Sequence, residues 1–227
     1  TKINFFHSLI FFNLCITLAG IEYLREGSFL IISLFLILTI GISHGSLDHI
    51  KGKKLIKYLG YKSINVFYLG YIFVGITTII IWLMFPKFLL FLFLIVASFH
   101  FGKEDSEFIV KEKKFELIYF VKGSLIITAP LFFHKGETLA IFETLNFDIS
   151  NSLIVANEML FIFIILSLIS GVFLSLKKNI EVKLLLLMDY LSILILNYFL
   201  NPIVAFTVYF CFLHSIRHSM SLINEIN

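Results

Sequence analysis

The sequence is poor in charge. Asp, Glu, Lys and Arg make up 15% of its 227 residues, where an ordinary soluble domain carries about 25%. That shortage argues against a water-soluble globule, and the formal net charge of +3 is too small to indicate a phosphate-backbone partner, so nucleic acid is excluded. Cysteine is scarce as well. The two present, Cys15 and Cys211, both lie in apolar runs where a thiol behaves as a small buried hydrophobe, which leaves no disulfide framework and no reading of redox compartment. Internal repeats and flexible linkers are absent, and no clear small-x-small cleavage site follows the first apolar run.

What fills the chain instead is apolar surface: 59% of residues are hydrophobic and the mean hydropathy is +0.98. Long apolar runs, such as residues 29–42, 72–85 and 153–176, alternate with clusters of charge. A bilayer core takes roughly 20 helical residues per span, so the pattern predicts an all-α, polytopic membrane helix bundle. One integral membrane domain covers residues 1–227. The runs divide into about eight transmembrane helices, over 4–23, 28–49, 64–85, 87–101, 115–133, 152–176, 181–200 and 202–221. The first is read as a retained helix, since Lys2 and an apolar run are followed not by a cleavage site but by Glu22, Tyr23 and Arg25.

Orientation follows from placing the 18 Lys and Arg on alternate sides of this arrangement. One side receives only Arg25, Lys87 and Lys135; the other receives all the rest, from Lys2 and the Lys51 to Lys62 cluster through Lys122 and Lys177 to Arg217. The positive-inside tendency puts that side, with both termini, in the cytoplasm. A cell (inner) membrane is the expected location.

Histidines gather at the same leaflet. His44 and His49 close the second predicted helix, His100 the fourth, and His214 and His218 the eighth. The last two are four apart, so a helix places both imidazoles on one face about 6 Å apart, in reach of a shared metal. A lone membrane histidine is more often a packed, hydrogen-bonded residue, but five at one leaflet mark a functional site. Imidazole suits Fe, Zn, Cu and Ni, and spacing does not choose among them.

Secondary candidates surround this set. His49 follows His44 by five residues, about 140° around a helix, so both reach one metal only if the helix ends between them. Asp48 shares the face of His44, where it either accepts the second imidazole N–H or caps the helix end. Asp189 lies inside the seventh predicted helix, where a buried carboxylate needs a partner: an outer-shell role at the metal, or a hydrogen bond to a neighbouring Asn or Ser. His134 falls at the opposite leaflet and is not expected to be a ligand, His7 reads as structural, and Arg217 is expected to anchor to a lipid phosphate or a carboxylate.

Four segments, Gly41-Ile42-Ser43-His44-Gly45-Ser46-Leu47-Asp48-His49, Ser98-Phe99-His100-Phe101-Gly102, Pro130-Leu131-Phe132-Phe133-His134 and Tyr209-Phe210-Cys211-Phe212-Leu213-His214-Ser215-Ile216-Arg217-His218, resemble the Brp/Blh family of membrane β-carotene 15,15'-dioxygenases. The similarity runs in order over about three quarters of the chain. It implies an enzyme that uses Fe(II) and O2 to split the central double bond of β-carotene into two molecules of retinal, which then serves microbial rhodopsins. By residue match its iron ligands fall on His44, His100, His214 and His218. Ser46 stands where the family often has Ala, and Lys135 where Pro commonly follows Phe-His; neither removes a ligand.

β-Carotene has no polar handle, so an apolar tunnel must recognise it. The 28 Phe are available to line one, though they equally serve lipid contact and packing. Two other classes remain in view: a membrane protein that binds carotenoid or assists a rhodopsin without cleavage, and a metal or proton transporter. Transport needs polar groups through both leaflets, and Asp189 and Asn197 are too few.

Overall fold

A computed structural model describes residues 2–21, 29–45, 48–110, 116–145 and 155–226. Among these residues there is helix and no strand. In chain order the helices are α1 (Lys2–Ala19), α2 (Leu30–Gly45), α3 (Asp48–Tyr58), α4 (Asn65–Met84), α5 (Pro86–Glu104), α6 (Glu116–Gly123), α7 (Leu125–Phe133), α8 (Lys135–Thr144), α9 (Asn157–Ser175), α10 (Ile180–Phe199) and α11 (Pro202–Tyr209). A π turn, Phe210–His214, then joins α11 to α12 (Ser215–Ile226).

Among the described residues, six stretches are long and apolar enough to cross a membrane: α1, α4, α5, α6 with α7, α9 and α10. The fold is the predicted all-α polytopic bundle; the stretches expected over 28–49 and 202–221 are not among these six. Of the predicted helix 28–49, Leu30–Gly45 forms α2, while residues 28, 46 and 47 lie outside the described residues. The predicted helix 202–221 runs as α11, the π turn and α12 in succession, with helical backbone at Tyr209, Phe210 and Ser215. Helix α4 shows most directly what the solvent is. None of its residues is buried against the protein, and Leu69, Phe73, Ile80 and Leu83 all stand exposed; a helix apolar all round with no protein cover belongs in lipid.

The breaks have local causes. Asn179 accepts from the Val182 amide at 3.1 Å and Asn201 from the Val204 amide at 3.0 Å, so each caps the helix that follows. Pro202 then takes the first helical position, where its missing N–H costs nothing. The predicted helix 115–133 is divided at Ser124, whose φ of −60° and ψ of −21° remain helical, so the two halves still count as one span. Helix α8 has no counterpart among the predicted spans, because its ten polar-rich residues are too short to cross. It turns back on α7, with the Thr138 hydroxyl donating to the Pro130 carbonyl at 3.0 Å.

Close backbone contact sets how α5 and α6 lie. A Cβ on Gly102 would overlap the Tyr119 carbonyl, and one on Gly123 the Ser98 carbonyl. Small residues at Ser98, Gly102 and Gly123 thus let the two helices approach as membrane helices do without a hydrophobic drive between them. The contact also fixes direction: the end of α5 lies beside the start of α6. On the other side of the bundle α1 packs on α10, with Phe11 and Cys15 buried in the shared core. Cys15 and Cys211 are both buried free thiols.

Candidate metal centre

Three of the predicted histidines meet. His100 lies one turn before the end of α5, His214 closes the π turn, and His218 follows one turn later on α12. The His100 ring centroid is 5.1 Å from that of His214 and 6.4 Å from that of His218. Two imidazoles sharing one metal through bonds of about 2 Å stand roughly 5 Å apart ring to ring. The first pair is therefore at ligating separation and the second slightly wider.

His44 is the penultimate residue of α2, and its side chain lies outside the described residues, as does that of Asp48, which opens α3. Helix α2 packs against α11, the π turn and α12, and a Cβ on Gly41 would sit 4.0 Å from the Phe210 ring, so the end bearing His44 approaches the same region. The described part of α2 ends at Gly45 and that of α3 begins at Asp48, and the junction between His44 and His49 lies outside the described residues. His49 is half-buried on α3. Among the described residues no group of three or more His, Cys, Asp or Glu closes into a complete metal site.

Behind the imidazoles stand two carboxylates that sequence reasoning missed. His214 Nδ1 is 3.3 Å from Asp105 Oδ1, and His218 Nδ1 is 3.2 Å from Glu104 Oε2. Tyr209 donates its hydroxyl to the other Asp105 oxygen at 2.6 Å. Nδ1 turned toward a carboxylate is the arrangement that presents Nε2 to a metal, so the donor set fits an imidazole-bound Fe, Zn, Cu or Ni ion. The signal available was spacing. Glu104 follows His100 by four and shares its face, but Lys103-Glu104-Asp105 reads as an ordinary solvated helix end. Burial alone would favour the neutral acid at Asp105; hydrogen bonding and attraction from His214, then Lys122 and Arg217, outweigh it and hold this carboxyl below its ordinary range.

The π turn explains how Tyr209 and His214 reach one carboxylate. Five residues subtend about 140° beyond a full turn in an α-helix. The wider π turn, bonded i to i+5, brings such a pair round toward one face. Helix α1 braces it: His7 Nε2 lies 2.7 Å from the Phe212 carbonyl oxygen within the turn. His7 is thus structural, in keeping with its isolation in the sequence.

Arg217 and Asp189 form a second buried layer. Arg217 donates to the two Asp189 oxygens at 2.7 Å and 2.9 Å, and to the Ser8 hydroxyl at 2.6 Å. It also reaches the Asp105 carbonyl oxygen at 3.4 Å. Arg217 has a carboxylate partner, and Asp189 is engaged by a cation, neither Asn nor Ser. Arg217 and Lys122 are buried, so these two charges are part of the interior and not of the loop count that set orientation.

His134 caps the end of α7, with Nδ1 3.6 Å from Glu137. Since α6 starts beside the end of α5, the fifteen residues from Tyr119 carry His134 roughly 20 Å along the bundle from the cluster, at 1.5 Å per residue.

An apolar cavity of about 350 Å³ has Ala97, Phe101, Ile126, Pro130, Ile203 and Phe206 in its wall, and Phe101 separates it from the histidines. Phe101 meets His214 edge-on at 4.8 Å. Phe206 stacks on Phe210 at 5.7 Å, which in turn stacks on His214 at 6.0 Å. Phe101 thus belongs both to the cavity wall and to the packing around His214.

Comparison with known proteins bears on this arrangement. A family model described as Beta-carotene 15,15'-dioxygenase matches residues 35–227. The chain is also similar to a protein of an uncultured marine bacterium 66A03 named Beta-carotene 15,15'-dioxygenase, with 27% identity over 194 residues. That alignment covers 82% of this chain and 66% of the relative's length. No solved structure matches.

Proposed function

The chain belongs to the beta-carotene 15,15'-dioxygenase family, and on that premise we propose that it cleaves the central 15,15' double bond of β-carotene with O2, giving two molecules of all-trans-retinal. The metal is Fe(II), and its ligands are His44, His100, His214 and His218. The observation that carries this reading is the meeting of His100 with His214 at 5.1 Å against the wall of an apolar cavity.

Each part of the site has a task in that reaction. Bound Fe(II) supplies the redox chemistry that allows O2 to react with an alkene. The cavity offers a hydrocarbon an apolar surface to replace lipid. Thr138 is the polar side chain in its wall, and its hydroxyl is already engaged with the carbonyls of Pro130 at 3.0 Å and His134 at 2.8 Å. Recognition therefore rests on shape. Phe101 edge-on and Phe210 by stacking, itself backed by Phe206, hold the His214 ring and keep bulk water from it. Asp105 and Glu104 take the second nitrogens of His214 and His218. The products are a pair of carbonyls, one on each half of the cut bond, so the two oxygen atoms of O2 balance the cleavage.

The topology proposed for this enzyme is multi-pass in the cell membrane with both termini cytoplasmic. The lysines of α3, Lys51, Lys53, Lys54 and Lys57, support it, because they lie at the histidine end of the bundle. Retinal released at that leaflet passes to a microbial rhodopsin.

The test is expression in cells that accumulate β-carotene, with pigment extraction and His218→Ala as control. Retinal from the intact chain and none from the variant is the expected result. Unchanged β-carotene beside folded, iron-loaded protein would leave the chain as a carotenoid-binding protein.

A further inference from the structure

We propose that Asp105 is a positioning residue for His214, and its neighbour Glu104 for His218: at the end of α5 the Asp105 carboxylate holds the His214 ring through a hydrogen bond at Nδ1, Glu104 lies within ion-pair distance of His218 Nδ1 at 3.2 Å, and the two carboxylates aim Nε2 of each ring into the cluster. This rests on the reading of the histidines as metal ligands, but the orientation itself is a property of the chain without metal.

Asp105 has little freedom. One oxygen faces His214 Nδ1 at 3.3 Å and the other accepts from Tyr209 at 2.6 Å, so rotation of the carboxylate would break both contacts. Its backbone carbonyl is reached by Arg217, itself clamped by Asp189 and Ser8. The residue is 2% exposed and His214 0%, so water does not compete. An ionised carboxylate only accepts hydrogen bonds, and a neutral imidazole carries one N–H. Facing Asp105, that N–H must be on Nδ1, and the lone pair is then on Nε2.

Glu104 works from the adjacent position. Successive helical residues point about 100° apart, so two neighbouring carboxylates at one helix end reach two imidazoles a turn apart, His214 at the end of the π turn and His218 on α12. Glu104 is also tied down at its far side: its second oxygen lies 3.9 Å from Lys51 Nζ on α3. A chain of contacts Lys51, Glu104, His218 thus joins α3, the helix that follows His44, to α12, which bears His218.

The experiment uses the purified full chain in detergent, stripped of metal and labelled with 15N-histidine. The ring nitrogen shifts of His214 and His218 report which nitrogen carries the proton. The intact chain is expected to show Nδ1–H at both, with Asp105→Asn converting His214, and Glu104→Gln His218, toward Nε2–H or a mixture. Titration of the same samples with Co(II) is expected to show a loss of affinity of about 10- to 100-fold in each variant. A residue needed only for packing would lower the melting temperature without moving the tautomer. Nε2–H in the intact chain would overturn the proposal before any variant is made. So would folded variants with unchanged ring shifts and Co(II) affinity. Carboxylate-dependent tautomers in a chain that binds no Co(II) would support the orientation and overturn the metal reading.

Discussion

Tyr209 and His214, five residues apart, bind opposite oxygens of one carboxylate, that of Asp105. The π turn between them makes this possible, and the consequence is a buried acid with both oxygens occupied. Tyr209→Phe removes one donor and leaves a desolvated oxygen behind. The expected cost is about 1–3 kcal/mol, read as a fall in thermal midpoint with helicity by circular dichroism unchanged.

The Arg217 and Asp189 pair gives a sharper case. Breaking a buried ion pair by removing one partner strands the other charge, at a cost of about 3–5 kcal/mol. Asp189→Asn is expected to lose that much. Asp189→Leu combined with Arg217→Met is expected to recover part of it, because neither charge is then buried alone. Thermal unfolding of the two proteins in the same detergent measures the difference; equal losses would show that the pair's charge is not the issue.

Metal retention separates the histidines. After purification, His100→Ala, His214→Ala and His218→Ala are each expected to lose bound iron and cleavage, while His134→Ala keeps both. Iron is measured by elemental analysis and cleavage by retinal formed. Loss at His134 would contradict its distance from the cluster.

Two glycine substitutions should differ in sign. Gly102→Ala puts a methyl into the Tyr119 carbonyl and forces α5 from α6, an overpacking cost of about 1–3 kcal/mol or more, which should also disturb His100. Gly136 lies on α8, where a methyl group added at its Cα would meet nothing within 4 Å, so Gly136→Ala is expected to be neutral or to stabilise by about 0.5–1 kcal/mol. Paired melting curves decide.

Filling the cavity tests its role in recognition. Ala97 lines it one turn of α5 before Phe101, and Ala97→Phe takes up part of its 350 Å³. A fall of at least about tenfold in kcat/KM for β-carotene, equivalent to ~1.4 kcal/mol, is expected with iron content unchanged. Unaltered cleavage would place the substrate elsewhere.

The helical architecture was legible because its cause is local. A run such as residues 65–84 is apolar at nearly every position, and nothing but a lipid-embedded helix satisfies both its side chains and its backbone. His100, His214 and His218 were legible for a related reason: histidine is rare in such runs and its place at the end of each is visible one helix at a time. Glu104, Asp105 and Tyr209 were not, since a charged helix end and a tyrosine in an apolar run look ordinary in isolation. Helix α8 escaped because it buries its few apolar residues against a neighbour without the length of a span.

Composition and spacing by themselves determined that this chain is a bundle of membrane helices with His44, His49, His100, His214 and His218 toward one end. Tertiary structure alone decided that Arg217 pairs with Asp189, that α5 meets α6 at glycines, and that one carboxylate serves both Tyr209 and His214. The division follows from range. Hydrophobic periodicity acts within a helix and is written in consecutive residues, whereas a buried charge is stabilised by a partner that can lie a hundred residues away, and only packing brings the two together.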